Sequence, residues 1–206
     1  MRGKIIAVVG APGSGKSFLV KKLKEYLNAE AFFEGEEKDL PEKIIENLSK
    51  QVNNFETILW FRNQRIKDFL KALELKEKGK NIILDTFWIT NQFHINSMLN
   101  NFEKKVALDL GALDLKSFPM PDLIIFLKIE EKDIRKSIKL RARNFDQNES
   151  FIKRILSINK EHKDFFKKNK FKNLLIIDKN KFDFSKEKDF YELIKKITNS
   201  KIIIQK

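Results

Sequence analysis

A chain of 206 residues has room for one α/β domain with a sizeable core, and 42% hydrophobic with 34% charged residues is the balance of a soluble globular protein. No apolar run approaches the roughly 20 residues that cross a bilayer, so no membrane partner is expected. The absence of cysteine removes disulfides, thiolate metal sites and a cysteine nucleophile together, which fits a cytoplasmic protein. The net charge of +13 is scattered along the chain without blocks of one sign, so it reads first as a lysine-rich composition and second as the mark of a nucleic-acid partner.

The chain opens on "KIIAVVG" (4–10), an apolar β-branched run with no signal-peptide layout before it. It leads into Gly10-Ala11-Pro12-Gly13-Ser14-Gly15-Lys16-Ser17 and then a helical stretch, 17–27. This is G-x-x-x-x-G-K-[ST] in the setting the motif requires, strand before and helix after. The glycines let the backbone curl so that several N–H groups point at one phosphate, and the helix aims its positive end there. Lys16 is expected on the β/γ-phosphates of ATP or another nucleoside triphosphate and Ser17 on Mg²⁺, with Phe18 just behind the loop.

A second run, "EAFFE" (30–34), ends on Glu34, a carboxylate able to take a proton from an attacking hydroxyl. Glu36, Glu37 and Asp39 crowd it, and their repulsion is expected to raise its proton affinity. The stretch "ETILWFRNQRIKDFLKALELKEKG" (56–79) predicts a long helix stopped at Gly79. Trp60 or Phe61 could stack on a base, the other belonging to the core; Arg62 and Arg65, three residues apart, share a face that reaches an acceptor.

A third apolar run, "NIILD" (81–85), places Asp85 at a strand's carboxyl end, where open parallel sheets bind ligands; Asp85 is expected to hold Mg²⁺ with Ser17. The runs "DLIIFLKI" (122–129), after the proline-marked loop "SFPMPD", and "NLLIID" (173–178) complete five strands. Helices are predicted over 130–143, 149–168 and 187–198. Between the first two, Arg141 and Arg143 suit a lid at about 140–150 that closes over phosphate oxygens. His94 and His162 form no ligand pair and read as surface or packing residues. Strand and helix alternate throughout residues 1–206, which predicts one doubly wound α/β domain with right-handed crossovers.

Taken together, "VVGAPGSGKS", "FFEGEEKD", "WFRNQR", "IILDTF", "PDLIIFLKI" and "RAR" resemble the corresponding segments of the deoxynucleoside kinase family, with thymidylate kinases as near relatives. The resemblance implies a five-stranded parallel sheet in the order 2-3-1-4-5 with helices on both faces and a small helical lid. It implies transfer of a nucleoside triphosphate's γ-phosphate to the 5′-hydroxyl of a deoxynucleoside, with Mg²⁺, often by homodimers. Glu34 falls at the family's catalytic base, Arg65 at its helix arginine, Arg141 and Arg143 at its lid arginines. Three positions depart from it: Gly35 stands where the family has proline, Thr86 where it has arginine, and Ile58 where a glutamine reads the base. The alternatives are a nucleoside monophosphate kinase, a polynucleotide 5′-hydroxyl kinase, and a nucleotide-binding protein with little turnover.

Overall fold

Strands that are apolar on both sides must be covered on both sides, and alternate residues decide which cover each meets. In β1 (Ile5–Val9), Ile6 and Val8 face one layer while Ile5, Ala7 and Val9 face the other. β3 (Ile82–Asp85) and β4 (Leu123–Lys128) alternate in the same way. The computed structural model describes residues 3–35, 39–141 and 148–199. With β2 (Glu30–Phe32) and β5 (Leu174–Asp178) at the edges, the strands form one parallel sheet in the order β2-β3-β1-β4-β5, the order the family resemblance implies.

Helix α1 (Lys16–Leu27) covers one face through Leu19, Val20 and Leu23, beside α8 (Glu187–Asn199) with Leu193 and Ile197. The other face lies under α3 (Asn54–Glu77), through Phe69 and Ala72, and α7 (Glu149–Lys168), through Ile158 and Phe166. A third apolar cluster joins Ala11 to Ile134 and Ile138 of α6 (Glu131–Arg141) and Ile152 and Ile155 of α7. It ties the first phosphate-loop residues to the α6–α7 pair.

Boundaries follow local chemistry. The long helix α3 stops where Gly79 turns to φ 81, its N–H bonding the Lys76 carbonyl at 3.0 Å. Asn148 caps α7, its side chain accepting the Ser150 N–H at 2.9 Å. Three helices were not predicted: α2 (Glu42–Lys50), α4 (Asn91–Met98), which follows a 3₁₀ turn over Trp88–Thr90, and α5 (Asn101–Ser117). In α5 the apolar residues fall on several sides, with Phe102, Leu108, Leu113 and Leu115 exposed, so no single stripe marks it. Among the described residues, no helix is long and apolar enough to cross a membrane.

Arg62 turns out to belong to this framework. Its Nε donates to Asp114 Oδ2 of α5 at 2.7 Å and its Nη2 to Oδ1, a forked ion pair around a carboxylate 3% exposed. Arg62→Met would leave the Asp114 charge buried without its partner, at a cost of about 3 kcal/mol. The expected outcome is a melting temperature lower by roughly 6–12 °C, with the Michaelis constants of whatever activity the protein shows left unchanged. Calorimetry and steady-state kinetics on the same preparation check both halves.

Candidate active site

The loop between β1 and α1 is shaped by glycines. Gly13 and Gly15 sit at φ 84 and φ 87, in the left-handed region where a side chain would be strained. Lys16 folds back over the loop it follows, its Nζ donating to the carbonyls of Gly10 at 2.9 Å and Ala11 at 3.3 Å. Ser14 lies beneath, 1% exposed, with a hydroxyl that has no hydrogen-bond partner. Pro12, Gly13, Gly15, Lys16, Ser17 and Phe18 all border a cavity of about 840 Å³.

The neighbouring strand supplies the acid. Val8 of β1 stands opposite Asp85 of β3, so the loop after β1 starts beside the end of β3. Ser17 Oγ donates to Asp85 Oδ2, while the other carboxylate oxygen is buried without a hydrogen-bond partner. Burial pushes the Asp85 pKa up; Lys16 opposes the shift and Glu34 adds to it. A hydroxyl touching a carboxylate with one unused oxygen is a hard oxygen set that fits Mg²⁺, which takes one or two protein ligands and completes its shell with phosphate and water. The next residue, Thr86, holds φ 75, a left-handed conformation uncommon for a β-branched side chain. Its N–H bonds the Val8 carbonyl at 2.9 Å and its hydroxyl lies 2.7 Å from that of Thr90.

In the same cavity, α3 presents Arg65, 7% exposed. Its Nε donates to Glu34 Oε1 at 2.8 Å, its Nη2 to the same oxygen, and its Nη1 to Asn91 Oδ1 of α4 at 3.2 Å. The guanidinium lies 5.5 Å from the centre of the Phe61 ring. The strand expected to end on Glu34 stops at Phe32, and Glu34, two residues beyond it, is fixed by an arginine that is itself fixed by α4. Of the acids expected to crowd it, Glu36 and Glu37 lie outside the described residues.

The structure brings Lys16, Ser17, Glu34, Arg65 and Asp85 to one cavity. Arg62 is not among the lining residues, because Asp114 holds it on the α5 side; the substrate contact expected of it is withdrawn. Trp60 faces a smaller adjoining hollow of about 400 Å³ beside Gln64 and Asp68, and it is Phe61 that borders the main cavity. Arg143 and the Arg141 side chain, with most of the predicted lid, lie outside the described residues.

Other lining residues were not anticipated. His94 of α4 was read as surface or packing but stands in the cavity wall; burial first, then Arg65, Lys16 and Arg154, hold its pKa well below the ordinary histidine value, so the ring is neutral. His162 is a packing residue, 4.2 Å from the Phe93 ring, its Nδ1 donating to the Ile158 carbonyl at 2.8 Å. Asn91, Met98, Phe151 and Arg154 also line the wall, together with Ile58, which the resemblance had placed at the family's base-reading glutamine. For Arg154 a signal existed: Phe151, Ile155 and Ile158 share its face of α7, and a cation inside an apolar stripe stands out.

A parallel sheet with a glycine loop after its first strand, a serine–aspartate pair beside it and a second carboxylate lining the same cavity defines a P-loop protein of nucleotide-kinase architecture. A model of the deoxynucleoside kinase family matches residues 6–203, and the chain belongs to that family. It is 25% identical over 189 residues to a deoxyguanosine kinase of Dictyostelium discoideum, covering 87% of this chain and 65% of that protein's length. Over 202 residues it is 23% identical to a deoxyguanosine kinase of Lactobacillus acidophilus, covering 92% of this chain and 87% of that one. Its fold is that of a deoxyadenosine kinase from M. mycoides solved with dCMP and a flexible dCDP, with a TM-score of 0.79 at 19% identity, over 95% of this chain and 99% of that one.

The raised pKa of Asp85 has a consequence for stability. The folded state holds this proton more tightly than the unfolded chain does, so the stabilising contribution is complete below the ordinary aspartate pKa and is lost as pH rises through the raised one. Asp85→Asn keeps the acceptor for Ser17 and removes the buried charge. Without nucleotide, the variant should melt above the parent at about pH 7, and the gap should close near about pH 3. Thermal unfolding at the two pH values checks this; a lower melting temperature at neutral pH would mean that attraction to Lys16 outweighs burial.

Proposed function

We propose that this protein transfers the γ-phosphoryl group of Mg²⁺–ATP, or of another nucleoside triphosphate, to the 5′-hydroxyl of a deoxynucleoside. One observation carries the reading: the phosphate loop and the Glu34–Arg65–Asn91 network line the same cavity. Its volume of about 840 Å³ suits a nucleoside beside a triphosphate tail. The names of the related kinases point to a purine deoxynucleoside first.

Lys16 moves from the loop carbonyls to the β/γ-phosphates, and the loop N–H groups hold the same phosphates from below. Ser17 and Asp85 would hold Mg²⁺, which supplies charge neutralisation on the phosphate oxygens when bound. Phe61 and the apolar residues of α4 and α7 enclose the base and sugar. Glu34, oriented by Arg65, takes the 5′-hydroxyl proton as the oxygen attacks. Arg141 and Arg143 complete the charge neutralisation from the lid. The acceptor is a small molecule in this reading, and the dispersed positive charge of the chain serves no polynucleotide.

The test is an incubation with Mg²⁺–ATP and the four deoxynucleosides, dTMP and a 5′-hydroxyl oligonucleotide, followed by product analysis. Monophosphate from the deoxynucleosides is expected; transfer to the oligonucleotide alone would overturn the proposal. Lys16→Ala should lower kcat by about 10²-fold or more with the fold intact. Glu34→Gln should lower kcat by about 10²-fold while ATP affinity and Mg²⁺ dependence stay near those of the parent. If instead its rate is unchanged, the base lies elsewhere.

A further inference from the structure

Arg154 is a cation without an assigned purpose. It lies on α7 among Phe151, Ile155 and Ile158, all facing the cavity. Its Nη1 is buried and has no hydrogen-bond partner, and no ion pair reaches it from the described residues. The two arginines of α3 are answered, Arg65 by Glu34 and Arg62 by Asp114. Packing alone does not account for it, because a methionine would cover the same apolar wall without burying a charge.

We propose that Arg154 is a phosphate-binding residue of the acceptor side of the cavity, holding the phosphoryl group as it passes to the acceptor and the phosphate of the monophosphate product. The proposal rests on the kinase reading above. Three observations favour a phosphate over a base edge. The group is a full positive charge, and an anion answers it where a neutral base offers only partial charges. Arg154 and the phosphate-loop Lys16 both act on His94, which places their fields in one region of the cavity. Finally, β3 ends in Asp85-Thr86, where the threonine is buried and engaged with Thr90, so that side of the reaction centre contributes no cation.

In the reaction the 5′-oxygen forms a bond to the γ-phosphorus and the bond from that phosphorus to the bridging oxygen breaks. The hydroxyl proton goes to Glu34. Arg154 gives and takes no proton; it neutralises charge on the transferring oxygens.

Arg154→Met and Arg154→Lys test this by two readouts: steady-state kinetics with each deoxynucleoside, and calorimetric titration of dAMP against deoxyadenosine. In the methionine variant, kcat should fall about 10-fold or more. The parent should hold dAMP more tightly than deoxyadenosine, and the substitution should shrink that preference by about 10-fold with deoxyadenosine affinity little changed. Lysine should recover part of both. A preference for dAMP that is absent in the parent, or equal in the parent and the methionine variant, overturns the proposal. So does a change confined to the ratio between purine and pyrimidine acceptors, which would assign Arg154 to the base. If the parent phosphorylates no nucleoside, the kinase reading fails, and the binding comparison, which needs no turnover, still decides Arg154.

Discussion

The register between β1 and β3 is the constraint on which the rest depends. Val8 opposite Asp85 makes the first residue of the phosphate loop and the last residue of β3 near neighbours. The Ser17–Asp85 contact, at the start of α1, follows from that adjacency. A slip of one residue would move every β3 side chain to the other face and turn Asp85 away from the loop. The apolar layers prevent the slip, because Ile83 belongs to the α1–α8 side and Ile82 and Leu84 to the α3–α7 side. Core packing and site geometry are therefore one specification.

Electrostatics in the cavity is local and nearly independent of the overall charge. The +13 of the chain is spread over its length, whereas a few burial-dependent pairs decide the site. Arg65 is held through Glu34 and α4 at once, so Glu34, two residues past β2, is positioned by α3 and α4 as well as by the chain leaving its strand. Asp85 is buried beside a serine with a lysine in range, and Lys16 is the charge that opposes its proton. His94 stays neutral in the same field, so it enters the cavity as a hydrogen-bonding ring and not as a cation.

Much of the fold was legible because strands buried on both faces, as β1, β3 and β4 are, have to be written as continuous apolar runs; the edge strands β2 and β5 are only partly buried, and their shorter apolar runs still marked them. The phosphate loop was legible because glycines at fixed spacing between a strand and a helix have few other uses. Helix α5 escaped because its leucines do not keep to one side, and α2 because it is only nine residues long, although Ile44 and Leu48 do share a side. By spacing alone Arg62 and Arg65 looked equivalent, and only the family resemblance singled out Arg65. What separated them was Asp114, distant in sequence, and no local pattern reports a partner 52 residues away. A lone histidine reads as packing, which holds for His162 and fails for His94, because the difference lies in which helix face borders the cavity.

The contacts of Lys16 with its own loop bear on how a nucleotide would enter under the proposed reading. The ammonium group already satisfies donors on the Gly10 and Ala11 carbonyls. A phosphate bound there would compete with the protein's own backbone, and what Lys16 would add to ground-state affinity is a difference between two sets of hydrogen bonds. The exchange has a structural benefit. A loop rich in glycine has many collapsed shapes open to it, and a cation bridging its carbonyls restricts them; under the proposed reading that bridge would be a removable template, holding the cradle open for the phosphate that displaces it.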